Sequence, residues 1–407
     1  MADPIRVLHF ADLHIGMENY GRLDPETGLN QRVVDFLDRL DLLVNYAIEH
    51  EADLALFAGD AFRTRGPNPT HQREFAHRIR RLSEAGIPTV LLVGNHDMPV
   101  MEQRASSIEI FDTLSVPHVT VAAKPGIFRI ETRRGPLQVA AMPYPVRQRL
   151  LTREQFRRLD QGALDRVVSE AVVNIIQDLV EKLEPDIPAI LTGHFSVDSA
   201  HWGSERNIMV GRDVTAPISA LTNPRWAYVA LGHIHQHQNL NEGNDPPVVY
   251  PGSLERVDFG EEKQLKGFCW VEIAPEGTAW RYVEVPARPF LTLRVDVREE
   301  EDAMPAIRRA IAGAPIRDAV VRLVVRMTPE QEPRLRDADI APLLADAFFS
   351  QINRDVERTT RDRLDGMDPD AMTPAHLLES YLMTKGKSEE EIAPYVEEAQ
   401  AIFTDGA

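Results

Sequence analysis

The sequence predicts an α/β protein in which two packed mixed β-sheets are flanked by helices. One observation is a set of short apolar runs that end abruptly in polar residues; the run at 90–97 reads VLLVGNHD. Four or five apolar residues bounded by a glycine are typical of a buried strand. A second observation is that helical patterns alternate with these runs, which is typical of βαβ units. Ligands of such sheets bind beyond the carboxyl ends of the strands.

Five apolar runs share this pattern, and each delivers Asp, Asn or His at its carboxyl end. They are IRVLHFADLH at 5–14, LALFAGD at 54–60, VLLVGNHD at 90–97, AILTGH at 189–194 and YVALGHIH at 228–235. A single Gly-Asp or Gly-His after a strand is usually a turn or a satisfied polar residue. Five of them at the same structural position in one chain indicate a shared site.

The residue types at these strand ends predict a divalent metal site. The candidates offer carboxylate, amide and imidazole groups: Asp12, His14, Asp60, Asn95, His96, Asp97, His194, His233 and His235. Such oxygen and nitrogen ligands suit Mn²⁺, Fe²⁺, Zn²⁺ or Co²⁺ rather than an ion held by thiolates. Residues two apart in an extended segment point to the same side, so both histidines of GHIH can face one cleft.

Helical patterns with apolar spacing near 3.6 residues separate the strands. They predict helices at 31–50, 69–85, 101–114 and 152–184. Short alternating runs predict further strands at VTVAA, GIFRIET, LQVAAMPYP, VVYPGS, GFCWVEI and WRYVEV. The long polar loop at 198–216 lies beside the metal motifs, and loops of that length are more often functional than not.

Composition and charge narrow the class of protein. The single cysteine, Cys269, cannot form an internal disulfide, which fits a reducing compartment. No signal-peptide pattern or membrane-length apolar run is present, so we expect a cytoplasmic protein without a membrane partner. The net charge of −18 looks unsuited to an anionic substrate. Net charge does not set the local field of a site, however, and Gly59–Arg81 carries six arginines. Solvated helix faces are the alternative for most of these arginines.

The motif order DxH, GD, GNHD, GH, GHxH resembles that of the calcineurin-like metallophosphoesterases. HFADLHIG and YPGSLER are similar, more specifically, to the SbcD family, the nuclease subunits of bacterial SbcCD complexes. The likeness covers residues 1–285 and implies a metallophosphoesterase domain there. It also implies a Mn²⁺-dependent DNA nuclease, exonucleolytic on double strands and endonucleolytic on single strands or hairpins. Such an enzyme would act with the SbcC ATPase in double-strand break repair and recombination, associated with the nucleoid. The alternative is a stand-alone phosphoesterase acting on nucleotides or phosphoproteins.

The resemblance also implies roles for the candidate residues. Two Mn²⁺ ions, or Mg²⁺ or other divalent ions, would be bridged by Asp60. The protein ligands of the first ion would be completed by Asp12, His14 and His235. Those of the second would be completed by Asn95, His194 and His233. His96 would act as general acid, and Asp97 would orient either His96 or the neighbouring backbone.

Arginines near these motifs are the candidate DNA contacts. Arg63 stands three positions after Asp60, where some relatives carry His or Asp, so it is expected to contact a DNA phosphate instead. Arg65 and Arg206 are candidates of the same kind. Because of the departure at Arg63, the sequence leaves the details of any exonuclease activity open.

Two further segments are predicted beyond residue 285. FLTLRVDV, a helix at 301–312 and AVVRLVVRM form a β-α-β unit, and a helix follows at 336–349. This unit, 286–350, resembles the capping domain of the SbcD family, which helps hold DNA over the active site; a plain structural module is the alternative. The polar stretch 351–372 is predicted to be a linker.

Residues 373–407 are predicted to form a helix-loop-helix that binds a partner. Thr373 is a suitable N-cap, and Ser388 with Glu391 forms a capping box. Each helix has an apolar stripe that requires a partner surface. The resemblance implies docking on the coiled-coil base of SbcC, and the expected anchors are Leu378, Tyr381, Tyr395 and Phe403. Packing against the parent domain is the alternative.

A homodimer is also expected, because relatives dimerise through helices near the one predicted at 101–114. That helix would expose Ile108, Phe111 and Leu114, and an isologous contact between two copies is the simple symmetric solution. The alternative is that this helix packs on its own sheet.

Overall fold

The computed structural model describes residues 3–99, 104–150, 159–203, 213–357, 374–385 and 387–404. The strands are β1 Ile5–Phe10, β2 Leu54–Phe57, β3 Thr89–Leu92, β4 Val119–Ala122, β5 Gly126–Thr132, β6 Gly135–Met142, β7 Ala189–His194, β8 Ser196–Val197, β9 Thr215–Ala216, β10 Trp226–Gly232, β11 Gln238–Asn239, β12 Val248–Tyr250, β13 Gly267–Ala274, β14 Gly277–Glu284, β15 Phe290–Asp296, β16 Val320–Met327 and β17 Phe349–Val356. The helices are α1 Gln31–Glu49, α2 Pro69–Glu84, α3 Ile110–Thr113, α4 Arg147–Leu150, α5 Gln161–Glu181, α6 Met304–Ala312, α7 Asp337–Ile340, α8 Pro374–Thr384 and α9 Glu389–Thr404. Among the described helices, none is both long and apolar enough to cross a membrane.

Two six-stranded mixed sheets form the body of the protein. The first has the order β14-β13-β1-β2-β3-β4, and the second has the order β11-β12-β10-β7-β6-β5. In the first sheet β1 to β4 are parallel, and β13 and β14 extend it as an antiparallel hairpin. In the second sheet β6, β7, β10 and β12 are parallel. The carboxyl ends of the parallel strands therefore share one edge of each sheet.

The core lies in three layers around these sheets. Val7 of β1 and Ile190 of β7 belong to the apolar layer between the two sheets. Leu8 belongs to the layer under α1 and α2, and Leu191 to the layer under α5. Because the central strands are buried on both faces, they read as continuous apolar runs in the sequence. The arrangement confirms the predicted fold of two packed mixed sheets flanked by helices.

A smaller three-stranded parallel sheet, β15-β16-β17, follows the body. Its core includes Ile307 of α6 and Leu323 of β16, so the predicted β-α-β unit is present. The helix predicted at 336–349 is shorter, since α7 ends at Ile340 and a 3₁₀ turn follows. Residues 351–356, predicted to open the linker, instead form most of β17. This strand is polar because much of it is exposed at the sheet edge, so no apolar alternation reveals it.

The helix predicted at 101–114 is the largest local difference. The helix α3 has a single turn, and residues 101–103 lie outside the described part of the chain. Ile108 is fully buried and Phe111 is 6% exposed, with its ring centroid 5.7 Å from that of Phe75. The expectation that these two side chains are exposed is therefore wrong, because both pack into the core of their own domain. Leu114 is exposed.

The two C-terminal helices pack on each other. Ile392 and Ala399 are buried, whereas Tyr381 and Tyr395 are 52% and 51% exposed. Leu378 is half-buried. The predicted capping box is present, since the Ser388 N–H donates to Glu391 Oε2 at 3.0 Å. Thr373 and the side chain of Phe403 lie outside the part that the structure describes.

Candidate metal centre

The carboxyl ends of five parallel strands bring seven predicted ligand residues together between the two sheets. They come from the segments after β1, β2, β3 and β10 and from the end of β7: Asp12, His14, Asp60, Asn95, His194, His233 and His235. The side chains are buried, with Asn95 the half-buried exception. The shared edge of each sheet explains how residues more than 200 positions apart meet at one place.

Asp60 lies at the centre of this arrangement. Its Oδ2 atom is 3.4 Å from His194 Nε2 on one side and 3.8 Å from His14 Nε2 on the other. Its Oδ1 atom accepts the backbone N–H of His96 at 2.8 Å. Asp60 is 2% exposed, so a single buried carboxylate faces two separate groups of ligand atoms.

The first group consists of Asp12, His14 and His235. One ligand atom from each lies within 4.8 Å of the others. The two histidines face each other directly, with 2.9 Å between His14 Nε2 and His235 Nε2. Two imidazole nitrogens and a carboxylate converging at this distance form a donor set that fits a borderline divalent ion.

The second group consists of Asn95, His194 and His233. Asn95 Oδ1 lies 3.0 Å from His194 Nε2 and 3.1 Å from His233 Nδ1. Ligand atoms of Asp12, Asp60 and His194 also lie within 4.8 Å of one another, so the two groups are contiguous. One amide oxygen, two imidazole nitrogens and the shared carboxylate again suit a divalent ion.

Three of these histidines are fixed through the ring nitrogen that faces away from the centre. His194 Nδ1–H donates to the Ala58 carbonyl at 2.7 Å. His233 Nε2–H donates to Asp213 Oδ2 at 2.8 Å, and His235 Nδ1–H donates to Glu261 Oε1 at 2.7 Å. Such bonds set the tautomer and the ring orientation of a metal-binding histidine.

Sequence reasoning missed the two carboxylates behind His233 and His235. Asp213 lies near the end of the long polar loop at 198–216, so the sequence indicates its neighbourhood but not the residue. Glu261 lies in the stretch GEEKQLKG, which reads as an exposed polar turn, yet Glu261 is fully buried. No local pattern marks it.

The glycines of the GD, GNHD and GH motifs permit close approach. A Cβ atom on Gly94 would lie 2.2 Å from Asp60 Oδ1, and one on Gly232 would lie 2.1 Å from the Ala58 carbonyl oxygen. Gly59 has φ +101, and a Cβ there would meet His194 Nδ1 at 2.4 Å. Glycine at these positions therefore lets the ligand loops of the two sheets touch.

Four of the seven predicted ligand residues adopt left-handed backbone conformations. The φ angles are 53° for Asp12, 44° for His14, 63° for Asp60 and 102° for His233. Non-glycine residues rarely have positive φ, and each such residue costs on the order of 1–3 kcal/mol. Four in one site show that the surrounding structure enforces this backbone.

Asp97 supplies part of that enforcement. Its Oδ2 accepts the N–H groups of Asp60 at 2.8 Å and Gly94 at 3.0 Å. Its Oδ1 accepts the Ala61 N–H at 3.0 Å and the Ser107 hydroxyl at 3.2 Å. Of the two roles expected for Asp97, the contacts match the one that orients backbone. Burial, and then the Asp60 carboxylate, raise the pKa of Asp97 to about 6.

His96 lies at the half-buried rim of the centre. Its Nδ1–H donates to the Arg63 carbonyl at 2.6 Å, and its ring centroid is 4.9 Å from that of His14. One of its ring nitrogens also lies within 4.8 Å of the ligand atoms of His14 and Asp60. Distance alone therefore allows either a ligand or an acid at this position.

The predicted DNA contacts are only partly described. Arg63 and Arg65 are exposed on the loop after β2 that also carries Asp60. Arg206 lies outside the described residues. The arginine-rich segment is thus adjacent to the centre at its amino-terminal end.

Buried charges shift the ionisation of the centre. Burial lowers the pKa of His194, but the carboxylates of Asp60 and Asp12 outweigh it and raise that pKa to about 9. Burial and the nearby imidazole of His235 hold the pKa of His14 well below its usual range. Burial raises the pKa of Asp12, whereas the surrounding histidines, opposing burial, hold the pKa of Asp60 well below its usual value.

Comparison with known proteins agrees with this geometry. Over 313 residues the chain is 26% identical to the DNA double-strand break repair protein Mre11 of Aeropyrum pernix, covering 75% of this chain and 67% of that protein. Over 364 residues it is 26% identical to the SbcD subunit of the SbcCD nuclease of Bacillus subtilis, covering 87% and 88%. Over 267 residues it is 29% identical to the Escherichia coli protein of the same name, covering 63% of this chain and 62% of that protein. The family model for calcineurin-like phosphoesterases matches residues 5–237, more than half of the chain. The chain therefore belongs to the calcineurin-like phosphoesterase family and is a metal-dependent phosphoesterase.

Proposed function

We propose that this chain is a DNA nuclease that hydrolyses phosphodiester bonds with two bound Mn²⁺ ions. The observation that carries the proposal is one buried carboxylate, Asp60, facing two groups of nitrogen and oxygen ligands. The names of the relatives, a component of the SbcCD nuclease and a double-strand break repair protein, support DNA as the substrate. The proposed activities are exonucleolytic on double strands and endonucleolytic on single strands and hairpins, in break repair and recombination.

The donor set fits a pair of divalent ions. Asp60 would bridge them; Asp12, His14 and His235 would hold one, and Asn95, His194 and His233 the other. Every donor is an oxygen or a nitrogen, and each of three histidines has its outer ring nitrogen already bonded. When bound, two ions would activate a water molecule and neutralise phosphate charge.

His96 is proposed to donate the proton to the leaving oxygen. Its Nδ1–H is held by the Arg63 carbonyl, so Nε2 is the nitrogen that can face a scissile phosphate. Its half-buried position allows contact with substrate and exchange with solvent. Because His96 N–H also holds Asp60 Oδ1, the acid and the central carboxylate keep a fixed relation. Arg63, Arg65 and Arg206 are proposed to bind DNA phosphates.

The small domain and the C-terminal helices are proposed to serve DNA and a partner ATPase of the SbcC type. Tyr381, Met383 and Tyr395 are 46–52% exposed on helices that already pack on each other. Apolar surface left over after that packing supports an interface. Leu378, Tyr381, Tyr395 and Phe403 are the proposed anchors, since buried aromatics often dominate such contacts.

Truncation after Asp368 tests the partner assignment. The shortened chain should keep metal binding and Mn²⁺-dependent cleavage of simple DNA, because its metal centre is intact. It should lose association with an SbcC-type ATPase in co-purification. Full-stoichiometry co-purification would give the helices another purpose, and unfolding of the body would show that they belong to the core.

A homodimer is proposed on a smaller surface than the sequence indicated. Ile110 and Leu114 are 49% and 67% exposed beside the buried Ile108 and Phe111. Light scattering of an Ile110→Glu/Leu114→Glu variant should show a monomer. A dimer that persists would rule this surface out.

The central test is a nuclease assay of the full chain with and without an SbcC-type ATPase. Hairpin and blocked-end DNA should be cut when Mn²⁺ is added, and EDTA should abolish cutting. Nucleotides and phosphopeptides serve as competing substrates. If they are hydrolysed and DNA is not, the chain is a stand-alone phosphoesterase instead.

A further inference from the structure

The motif YPGSLER at 250–256 has no place in the proposed chemistry, yet it lies against the backbone of a metal ligand. Gly252 has φ +77, and a Cβ there would lie 2.6 Å from the His235 carbonyl oxygen. The Ser253 N–H donates to that same oxygen at 3.2 Å. Glycine and serine in this motif therefore pack the turn directly onto His235.

A buried ion pair completes the surroundings of His235. Glu261 and Lys266 are both fully buried, with 2.8 Å between Glu261 Oε2 and Lys266 Nζ. The other carboxylate oxygen, Oε1, accepts His235 Nδ1–H at 2.7 Å. Lys266 Nζ also donates to the His235 carbonyl at 3.2 Å and to the Ser253 hydroxyl at 2.8 Å. The Glu261 carboxylate thus binds the ring of His235, and the Lys266 ammonium binds its backbone carbonyl.

A pair of this kind calls for an explanation beyond stability. Removing two charges from water often costs as much as their attraction returns, and apolar residues of similar volume frequently serve as well. Besides each other, the polar atoms of the pair contact His235, Ser253, Gln264 and the Val257 N–H that follows the YPGSLER motif. The second ligand group contains no buried ammonium of this kind within the described residues, so the pair is specific to one half of the centre.

The same unit is tied to the junction with the small domain. Arg256, from the YPGSLER motif, donates to the Glu261 carbonyl at 3.3 Å and to the Gln264 carbonyl at 2.9 Å. Its guanidinium also donates to the carbonyls of Ala287 at 3.3 Å and Arg288 at 3.0 Å. These last two residues lie just before β15 begins.

The junction is held from both sides. Arg288 forms two hydrogen bonds of 2.5 Å with Asp35 of α1. The guanidinium carbon of Arg288 lies 3.6 Å from the ring centroid of Phe348, and its Nη1–H donates to the Asp318 carbonyl at 2.8 Å. Phe348 and Asp318 both belong to the small domain. A movement of the small domain would therefore act on Arg288, and through Arg256 on the turn that carries Glu261.

We propose that Glu261 is a positioning residue for His235, that Lys266 holds Glu261 in place, and that Arg256 couples both to the domain junction. This inference rests on the proposed function, because it takes His235 to be a metal ligand. The small domain then supports one of the two metal sites, the one that contains His235.

The test of Glu261 and Lys266 uses four variants of the full chain. Glu261→Gln removes the carboxylate charge, Lys266→Met removes the ammonium, and a third variant carries both changes. Lys263→Met, an exposed lysine three positions away, is the matched control. Mn²⁺ titration followed by electron paramagnetic resonance measures each site, Co²⁺ absorption reports its ligand geometry, and thermal unfolding in EDTA measures the fold.

In wild type and Lys263→Met we expect two ions to bind. In Glu261→Gln, loss of a carboxylate behind a metal-binding histidine should weaken one of the two sites about 10–100-fold. Each single variant leaves a buried charge unpaired and should unfold at a lower temperature, whereas the double variant should recover. The weak site should stay weak in the double variant, because His235 still lacks its carboxylate.

The double variant separates positioning from stability. If its metal affinities return to those of wild type, the pair is only structural and the inference fails. If wild type binds two ions and Glu261→Gln binds them equally well, this inference alone is overturned. If wild type binds no ion, the proposed function is overturned as well. A folded Arg256→Met variant should weaken the same site by less than Glu261→Gln; an unchanged site would overturn the coupling to the small domain.

Discussion

The two ligand groups that meet at Asp60 have different surroundings. His235 is backed by Glu261, whose side chain is fully buried and paired with a lysine. His233 is backed by Asp213, whose side chain is 8% exposed and bonded to hydroxyl groups. The His235 half is therefore held by a buried ion pair, whereas the His233 half is held by a carboxylate with neutral hydroxyl partners.

Replacing Asp60 should have the largest effect, because it serves both halves. Asp60→Asn removes the charge that both groups face, and loss of metal assistance worth several kcal/mol lowers the rate roughly 10³-fold or more. Metal titration and cleavage of a phosphodiester model substrate measure the effect. Asp112→Asn, on the exposed turn of α3, is the control. If both metal sites are fully occupied in Asp60→Asn, Asp60 does not bridge the two ions.

His96→Ala should have the second-largest effect on the cleavage rate. It should leave metal binding by both ligand groups unchanged. A general acid contributes roughly 10²–10⁴-fold to rate, so the variant should lose that factor while keeping both ions and DNA affinity. His77→Ala, an exposed histidine of α2, is the matched control. If the metal content falls together with the rate, His96 is a ligand, a role that its distance to His14 and Asp60 allows.

Asp213→Asn should affect only the half that contains His233. It keeps the shape of the side chain but removes the charge behind His233, which should weaken one site about 10–100-fold. Combined with Glu261→Gln, it should weaken both sites, and the two losses should add because the residues share no contact. Co²⁺ spectra of the three variants measure this. Weakening of the same single site by both substitutions would contradict the division into halves.

The ionisation of His194 should have a smaller effect, on how stability and metal affinity depend on pH, and the sign of each dependence is defined. Its pKa is raised to about 9, so in metal-free protein its charge contributes stability below about pH 6.5 that is lost as pH rises through 9. Metal binding requires the neutral ring and releases the proton, so apparent affinity should rise with pH over the same range. The unfolding temperature should therefore fall between pH 7 and pH 9 in EDTA but change little in saturating Mn²⁺, because the gain in affinity offsets the loss of stability. Parallel shifts would contradict the assignment.

The sequence predicts that the seven candidate ligand residues lie together, because parallel strands buried on both faces give continuous apolar runs and the candidates follow the ends of those runs. It does not predict Glu261, whose burial comes from packing of distant segments around a turn that is locally polar. The strand β17 is not predicted either, because an edge strand needs no apolar alternation. The helix expected at 101–114 is shorter because apolar side chains such as Ile108 are satisfied by the core without helical periodicity.

The left-handed backbone at the ligand residues bears on how substitutions there are interpreted. At Asp12, His14, Asp60 and His233 an alanine loses a ligand but keeps the backbone strain of positive φ. Glycine would relieve that strain, so a glycine variant at Asp12 is expected to be inactive yet harder to unfold in EDTA than its alanine counterpart. The comparison of glycine with alanine thus separates the effect of the backbone strain from the effect of the lost side chain.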